Sequence, residues 1–289
     1  MLDDVLASLV SRHRSAVSGA RYTENGVELR IGEGLWATAD LIGPYRHDFF
    51  DSASGQAATF VTVTEGATRS IVALRIKETG GAVREIEALV ARPPLFGGAN
   101  GFGDGAIQLD EGGGPDGGWF GDAGPRLPRE VLRRVADAYF TGLERNDGRG
   151  HYPFADDCIR IENGFRTTNV PTGSDGKTPY LETFRAMGAR EQFETGFFRF
   201  VTRIRARRFP VIDEERGVVF ALAFFDHDGT VRDYALADGT PRRGIDRPFT
   251  WMIAEAFRIE RGLIARIEAL MAEVPYGLGA GWPESASAT

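Results

Sequence analysis

The sequence has little cysteine and little histidine. Its 289 residues contain one cysteine, Cys158, and four histidines. A single cysteine excludes an internal disulfide framework and any thiolate metal cluster, so a reducing cytoplasm is the expected compartment. The histidines show neither H-x-H nor H-x-x-x-H spacing, which are the usual metal-ligand patterns. We therefore expect no metal site.

The sequence also lacks a basic excess and a long apolar run. Its formal net charge is -7, whereas a nucleic-acid-binding surface needs lysine and arginine to neutralise phosphates. No apolar run approaches the roughly 18 to 20 residues of a membrane helix. Asp3 and Asp4 stand where a secretory leader needs basic residues, which predicts no export signal. The one basic run, from Arg203, alternates like a solvated strand face. We expect no nucleic-acid partner and no membrane partner.

The chain contains an internal repeat. Three landmarks recur in the same order: RYTENG at 21–26 and RIENG at 160–164, FFDSASG at 49–55 and PVIDEERG at 210–217, and REIEALVA at 84–91 and ARIEALMA at 265–272. A shared order demands a shared topology. The third landmark closes a strand, a glycine-containing turn and a second strand, which predicts a β-hairpin at the end of each half.

A glycine-rich segment separates the two halves. It predicts a linker over residues 96–127 between a first unit, 1–95, and a second unit, 128–289. A helix is expected directly after Pro128, since apolar residues recur there at helical spacing. The second unit also has long insertions between its landmarks, and loops of that size usually cap a site or mediate contacts.

The segments YFTGLERNDGRGHYPFADDCIRIENG and RYTENGVELRIGEGLW resemble the nuclear transport factor 2-like superfamily, particularly its SnoaL-like and ketosteroid-isomerase-like members. The resemblance implies an α+β fold of two cone-shaped units, each a curved antiparallel sheet wrapped around a pocket with covering helices. It also implies that catalytic members work without metal or organic cofactor. Other members are non-catalytic, so the fold alone does not give the function.

The strand FTWMIAEAFRI supplies the first candidate residue. Alternation places Trp251, Glu255 and Phe257 on one otherwise apolar face, where a desolvated acid suits proton transfer. Trp251 and Phe257 are candidate substrate-binding residues. The repeat aligns Glu255 with Val72, which places the chemistry in the second unit. The alternatives are a structural carboxylate paired with arginine, or a face that points outward.

The second candidate is His227, which closes the strand VVFALAFFDH behind Phe225, a further candidate substrate contact. Histidine is the side chain most readily poised to move protons near neutral pH. The repeat places the ionisable Glu65 opposite His227. The alternative is an Asx-type turn, because Asp-His-Asp-Gly is also turn chemistry.

The third set lies after the predicted helix. The family resemblance carries a pocket role to Tyr139 and Asp157, while Arg160 and Glu162 share one strand face and can orient a substrate oxygen. His151 is a further candidate substrate contact or a surface residue. A helix cap is the alternative for the aspartate. In the first unit, the polar run from Tyr45 to Asp48 predicts a contact between units, a secondary site or a surface strand end.

Together these features predict a cofactor-independent lyase or isomerase that acts on a hydrophobic, hydroxylated aromatic or polycyclic small molecule. Dehydration or C–C cleavage is favoured over double-bond migration. His227 or Asp157 would remove a proton, Glu255 or Tyr139 would polarise an oxygen, and Arg160 would stabilise negative charge. A non-catalytic small-molecule-binding or oligomerisation module and a polyketide-type cyclase are the alternatives, and the tandem is compatible with a homo-oligomer.

Overall fold

The computed structural model describes residues 1–11, 13–94, 104–171 and 179–282. Over these residues the chain is an α+β protein with two six-stranded mixed sheets and few helices. The α-helices are α1 (Leu2–Ser11), α2 (Leu35–Thr38), α3 (Gly105–Gly112), α4 (Arg129–Leu143), α5 (Pro179–Ala186) and α6 (Ala189–Glu194). Short 3₁₀ helices lie at Ser15–Val17, Gly117–Trp119 and Phe197–Phe200. Within the described ranges, no helix has the length and apolar character needed to cross a membrane.

The strands divide evenly between the two large sheets. Those of the first half are β1 (Arg21–Glu24), β2 (Val27–Leu29), β3 (Leu41–Asp51), β4 (Gln56–Glu65), β5 (Thr68–Thr79) and β6 (Ala82–Ala91). Those of the second half are β7 (Phe154–Glu162), β8 (Phe165–Arg166), β9 (Arg203–Asp213), β10 (Val218–His227), β13 (Phe249–Glu260) and β14 (Leu263–Val274). A separate ribbon is formed by β11 (Asp233–Ala235) and β12 (Pro241–Arg243).

The two large sheets have the same strand order. It is β2-β1-β6-β5-β4-β3 in the first sheet and β8-β7-β14-β13-β10-β9 in the second. In each half, the strand that comes first in the sequence pairs in parallel with the strand that comes last, β1 with β6 and β7 with β14. The other neighbouring strands are antiparallel. The halves therefore share one topology and end in a β-hairpin, as the repeated landmarks predict.

The repeated Asn-Gly pair forms the same turn in both halves. Asn25 and Asn163 have φ angles of 48° and 46°, a conformation that asparagine tolerates better than most residues. The Asn25 side chain accepts from the N–H of Val90 and donates to its carbonyl. The Asn163 side chain makes the same two bonds to Met271. Each turn is thereby fastened to the last strand of its own half.

The strand register changes one correspondence between the halves. Glu255 pairs with Ala269, and Leu74 pairs with Ala88. The two alanines occupy the same place in the repeated sequence IEAL. Glu255 therefore corresponds to Leu74, and the predicted correspondence with Val72 is wrong by two positions. Since strand side chains alternate, a shift of two positions keeps the same face, and Leu74 is also buried and apolar.

The two large sheets pack against each other face to face. Their contact contains Phe49, Phe60 and Leu89 from the first sheet and Phe220, Phe224 and Leu270 from the second. The opposite face of each sheet, here called the inner face, is covered by helices. On the first sheet α1 and α2 cover it, and on the second sheet α4 and α6 do. The fold thus has one shared core between the sheets and one core under each set of helices.

The polar run at Tyr45–Asp48 contacts the second half, which is one of the roles predicted for it. The Tyr45 hydroxyl donates to Glu268 Oε1 at 2.7 Å, and His47 Nδ1 lies 2.7 Å from Glu268 Oε2. Arg46 points to the other side of the strand, where its Nε donates to Asp48 at 2.9 Å. Strand alternation therefore divides the run between the core and the surface.

The predicted linker is partly ordered and partly outside the described residues, which stop at 94 and resume at 104. From there the segment forms α3, and Ala106, Leu109 and Trp119 pack into the core between the sheets. The Asp110 carboxylate holds α3 in place by accepting from the N–H of Tyr45 at 3.2 Å. The described part of the segment therefore buries apolar side chains, which its high glycine content did not predict.

Candidate active site

A cavity of about 290 Å³ lies on the inner face of the second sheet. Its aromatic lining residues are Tyr139, Phe165, Phe184, Phe197, Phe198, Phe200, Phe225 and Trp251. The charged side chains that border it, within the described part of the chain, are Arg160, Glu162 and Arg185. An apolar cavity with a few polar groups is the usual form of a small-molecule site.

The sheet provides one wall of the cavity through strand alternation. Phe225 on β10 pairs with Trp251 on β13, and Ile253 follows Trp251 on the same face. The predicted inner face of β13 is thereby confirmed, and Phe257 continues it into the core beside Tyr139. Trp251 and Phe225 border the cavity, and their substrate contacts stay predictions, whereas Phe257 packs beside Tyr139 and does not border the cavity.

The insertion between β8 and β9 provides the opposite wall. It contains α5, α6 and the 3₁₀ helix Phe197–Phe200. The rings of Phe184 and Phe197 lie 4.3 Å apart, and those of Phe193 and Phe198 lie 5.1 Å apart. These aromatic contacts stabilise the insertion where it packs over the sheet. The expectation that a long insertion covers a site agrees with this arrangement.

Glu255 is buried behind the cavity with no cation paired to it among the described residues. Its side chain is 1% exposed, and its Oε2 atom has no hydrogen-bond partner in those residues. Burial raises the pKa of this carboxyl to about 8, although a hydrogen bond with Tyr139 opposes the rise. Glu255 is therefore mainly a neutral carboxylic acid at pH 7, and the alternative of an arginine-paired structural carboxylate does not hold.

Tyr139 connects Glu255 to the cavity. It lies on the buried face of α4, and its ring packs 5.1 Å from that of Phe257. Burial raises the pKa of its hydroxyl well above the usual value, and the neighbouring Glu255 adds to the rise. Tyr139 therefore stays protonated and serves as a hydrogen-bond donor at any ordinary pH.

Arg160 brings a positive charge to the same end of the cavity. Its side chain is 1% exposed. Its Nη2 donates to Gln192 Oε1, its Nε donates to Thr167 Oγ1 at 3.1 Å, and Glu162 Oε2 lies 3.4 Å from Nε. Its Nη1 atom is buried and has no hydrogen-bond partner in the described ranges. A ligand oxygen in the cavity would satisfy this remaining donor.

The same strand positions have a structural role in the first half. Tyr22 pairs with Ile86 and Arg160 pairs with Ile267, so Tyr22 corresponds to Arg160 and Glu24 corresponds to Glu162. Tyr22 donates to Glu24 at 2.7 Å, and the backbone N–H of Leu35 donates to the same oxygen at 2.6 Å. Glu24 therefore holds α2 in place, whereas Glu162 borders a cavity.

His227 lies far from Glu255 on the same face. His227 lies six residues after Ala221, which is the β10 residue that pairs with Glu255. Six strand residues span about 20 Å. The His227 ring stacks 4.3 Å from Phe249, and within the described residues neither ring nitrogen has a hydrogen-bond partner. Burial lowers its pKa to about 4. The two predicted catalytic residues cannot act on one atom. His227 is the last residue of the strand, and an Asx turn begins directly after it, where Asp228 Oδ1 accepts from the N–H of Thr230 at 2.8 Å.

Asp157 and His151 lie outside the cavity. Asp157 is exposed on β7, because it is an odd number of positions from Arg160 and Cys158, which point inward. His151 is exposed before the start of that strand. Neither residue borders the cavity. The catalytic role predicted for Asp157 and the substrate contact predicted for His151 are therefore not supported by their positions.

Sequence reasoning missed residues of the cavity wall and one residue behind it. Gln192 does not border the cavity; it is fully buried on α6, accepts from Arg160 and donates to the carbonyl oxygens of Thr167 and Phe184 at 2.7 and 2.8 Å. The phenylalanines at 197, 198 and 200 border the cavity. Their density in the segment FFRF was a usable signal, whereas a short insertion helix gives no period from which the inward position of Gln192 can be read.

The described residues contain no cluster of three or more histidine, cysteine, aspartate or glutamate side chains placed to hold a metal ion. The ionisable residues that border the cavity are instead Tyr139, Arg160, Glu162 and Arg185, and Glu255 lies behind them. Such a set is suited to hydrogen bonding and proton transfer.

Residues 125–271 match the family described as "Domain of unknown function (DUF8021)", and this match spans just over half of the chain. The chain belongs to the DUF8021 family. No curated protein matches it. A crystal structure of a de novo designed protein with a curved β-sheet has 15% sequence identity to it and a TM-score of 0.28, and the alignment covers 50% of this chain and 88% of that one.

The DUF8021 match extends from the residues just before α4 to Met271 in β14. It therefore contains Tyr139, Arg160, Glu162 and Glu255 together with the insertion that covers the cavity. The family description names no activity, so the chemistry of the DUF8021 unit must be argued from these residues.

Proposed function

We propose that the DUF8021 unit is a cofactor-independent lyase or isomerase that acts by general acid–base catalysis on an apolar, oxygenated aromatic or polycyclic small molecule. The observation that carries this proposal is the Tyr139–Glu255 pair, in which a buried carboxyl with a pKa of about 8 adjoins a tyrosine that borders an aromatic cavity. A neutral acid and a tyrosine in an apolar site are suited to stabilise an oxyanion.

The acid side of the mechanism depends on the proton of Glu255. While Glu255 is protonated, its O–H donates to the Tyr139 oxygen, and the Tyr139 hydroxyl hydrogen is left for a ligand oxygen. The unpartnered Nη1 of Arg160 supplies a second donor from β7. Two fixed donors at one end of an apolar cavity favour a carbonyl oxygen that gains negative charge during the reaction.

We assign the base to Glu162, in place of His227 and Asp157. Its carboxylate borders the cavity beside Arg160. In a dehydration, Glu162 takes the C–H proton next to the carbonyl, and those electrons give an enolate whose oxygen the two donors hold. The enolate then forms the C=C bond as the bond to the β-hydroxyl breaks, and that oxygen leaves as water with the proton returned by Glu162. In C–C cleavage, Glu162 takes the β-hydroxyl proton, the hydroxyl oxygen becomes the new carbonyl as the Cα–Cβ bond breaks, and Glu162 returns the proton to the α-carbon of the enolate.

The shared topology also supports the proposal that both halves are cone-shaped units of the nuclear transport factor 2-like superfamily. Each half has a leading helix, an Asn-Gly hairpin and long antiparallel strands, and its first strand lies parallel to its last. The inner face of the first sheet is filled by Tyr22, Leu35 and Trp36. The inner face of the second sheet has a cavity instead, which favours the second unit as the active one.

The β-hydroxy ketone 4-hydroxy-4-phenylbutan-2-one tests the proposal, because dehydration gives an enone and C–C cleavage gives benzaldehyde and acetone. Products and uptake of deuterium at the α-carbon are followed by NMR. We expect activity in the wild type and a loss of about 100-fold or more in Glu162→Gln and Tyr139→Phe. Asp157→Asn is the matched control on β7 and should retain activity. Unchanged rates in both cavity variants, or no product and no exchange in the wild type, would overturn the proposal.

A non-catalytic binding module is the second candidate. A module that binds no ligand would have its cavity filled by side chains and Glu255 paired with a cation. The open cavity and the unpartnered Oε2 atom of Glu255 among the described residues argue against this form. A form that binds a ligand without turnover would show saturable binding of the probe and no product. A polyketide-type cyclase would use the same groups on a different substrate.

A further inference from the structure

The charges at the polar end of the cavity offset each other. Glu162 Oε2 lies 3.4 Å from Arg160 Nε, so the one buried cation there already has a carboxylate beside it. Arg185 also borders the cavity, but it is half-buried, and its Nε and Nη2 donate to the carbonyl oxygen of Arg166 at 3.2 and 2.7 Å on the solvent side. Water partly screens a charge of this kind.

The groups that remain for a ligand at the buried end are donors without a surplus of buried positive charge. They are Arg160 Nη1 and the Tyr139 hydroxyl. An anion that binds them must be desolvated among aromatic rings and must also face the Glu162 carboxylate. A neutral carbonyl oxygen accepts the same hydrogen bonds without either cost.

We infer that this cavity selects an uncharged carbonyl compound over the carboxylate of the same ring system, and that Glu162 sets this preference. The inference rests on the proposed function in its choice of site, and it adds the charge of the ligand. It also gives Glu162 a second role, because its carboxylate cancels the attraction that Arg160 would otherwise exert on an anion.

Calorimetric titration with 2-acetylnaphthalene and 2-naphthoate at pH 7 tests this preference. We expect the wild type to bind the ketone at least tenfold more tightly. In Glu162→Gln the ratio should fall at least tenfold, chiefly because the carboxylate gains affinity for the unbalanced Arg160. Asp157→Asn, on the exposed side of the same strand, should keep the wild-type ratio. A wild type that prefers naphthoate, or a ratio unchanged in Glu162→Gln, overturns the inference.

The pH dependence of the wild type provides a test that needs no folded Glu162 variant. Glu255 faces Tyr139 from α4 and Arg160 and Glu162 from β7. Once Glu255 ionises, the Tyr139 hydroxyl donates to it and leaves the ligand, so ketone affinity should fall severalfold between pH 7 and 9. Glu255→Gln should abolish the fall. A pH-independent wild type contradicts the inference, because the Tyr139 hydroxyl would then not be one of the two donors on which it depends. Because binding is measured without turnover, an inactive protein that keeps the preference overturns only the proposed function.

Discussion

Glu87 and Arg208 form a bidentate ion pair that joins the two halves of the chain. Arg208 Nη1 and Nη2 donate to the two Glu87 oxygens at 2.9 and 2.6 Å, and both side chains are almost fully buried. Glu87 belongs to the first copy of the repeated sequence IEAL, and Glu268 belongs to the second. Glu268 reaches back across the same interface to His47. The repeated glutamate therefore makes reciprocal contacts.

The partners of the two glutamates also correspond. His47 pairs with Phe60 and Arg208 pairs with Leu222. Phe60 and Leu222 each stand five residues after the glycine of the repeated turn. The contact between the halves is thus approximately two-fold symmetric, as in an isologous dimer interface. This sheet face is already occupied within one chain, so any homo-oligomer must use another surface.

Arg208→Met should lower the free energy of unfolding by about 3 kcal/mol, because it leaves the buried Glu87 carboxylate with Arg75 as its remaining cation. Urea titration followed by circular dichroism measures the change. Arg207→Met is the matched control on the same strand, since Arg207 pairs with the partly exposed Glu144 and should cost less than about 1 kcal/mol. Equal losses in the two variants would contradict a special role for Arg208.

Glu255 should make the protein less stable as the pH rises. Its folded pKa of about 8 lies above the ordinary value of 4.5, so the folded state holds a proton that the unfolded state releases. The free energy of unfolding therefore falls from about pH 4.5 and stops falling above about pH 8. Relative to the wild type, Glu255→Gln should gain a few kcal/mol between pH 5 and pH 9. Parallel stability curves for the two proteins would refute this assignment.

His227 should have the opposite effect on the acid side. Its folded pKa of about 4 lies below the ordinary value of 6.5, so the unfolded state takes up a proton first as the pH falls. Stability that is present above about pH 6.5 is lost progressively towards pH 4. His227→Phe keeps the stack on Phe249 and removes the titration, so its stability should fall less over this window in urea titrations. A decline as steep as that of the wild type would show that His227 is not responsible.

The sequence alone was sufficient for the parts of the fold that a repeat or an alternation encodes. The landmark order predicted one topology used twice, and strand alternation placed Trp251 and Glu255 on the inner face. The correspondence of Glu255 with Leu74 needed the register, because the similar segments ALRI at 73–76 and AFRI at 256–259 suggest an alignment that is two residues out of step with the strand pairing. Pairing partners across a sheet depend on the whole hairpin and not on local sequence.

The site itself was only partly predictable. On β7, Asp157 lies an odd number of residues from Arg160, so its side chain points to the opposite face of the sheet. Strand alternation could therefore have excluded Asp157 from the cavity. The partner of Arg208 could not be read from its basic run, because Glu87 is distant in sequence and meets it only when the sheets pack. Inward residues of the insertion, such as Gln192, likewise depend on tertiary packing that no short period records.

Replacement of Asn163 should show how much each half depends on its Asn-Gly turn. Asn163→Gly keeps the φ of 46° at little cost but loses both bonds to Met271, so we expect a loss of about 1–2 kcal/mol. Asn163→Ala should cost about 1 kcal/mol more, because a β-carbon disfavours the left-handed region. The Asn25 variants provide the matched pair in the first half and should follow the same order in urea unfolding. If alanine is tolerated as well as glycine at both positions, backbone conformation is not what selects asparagine there.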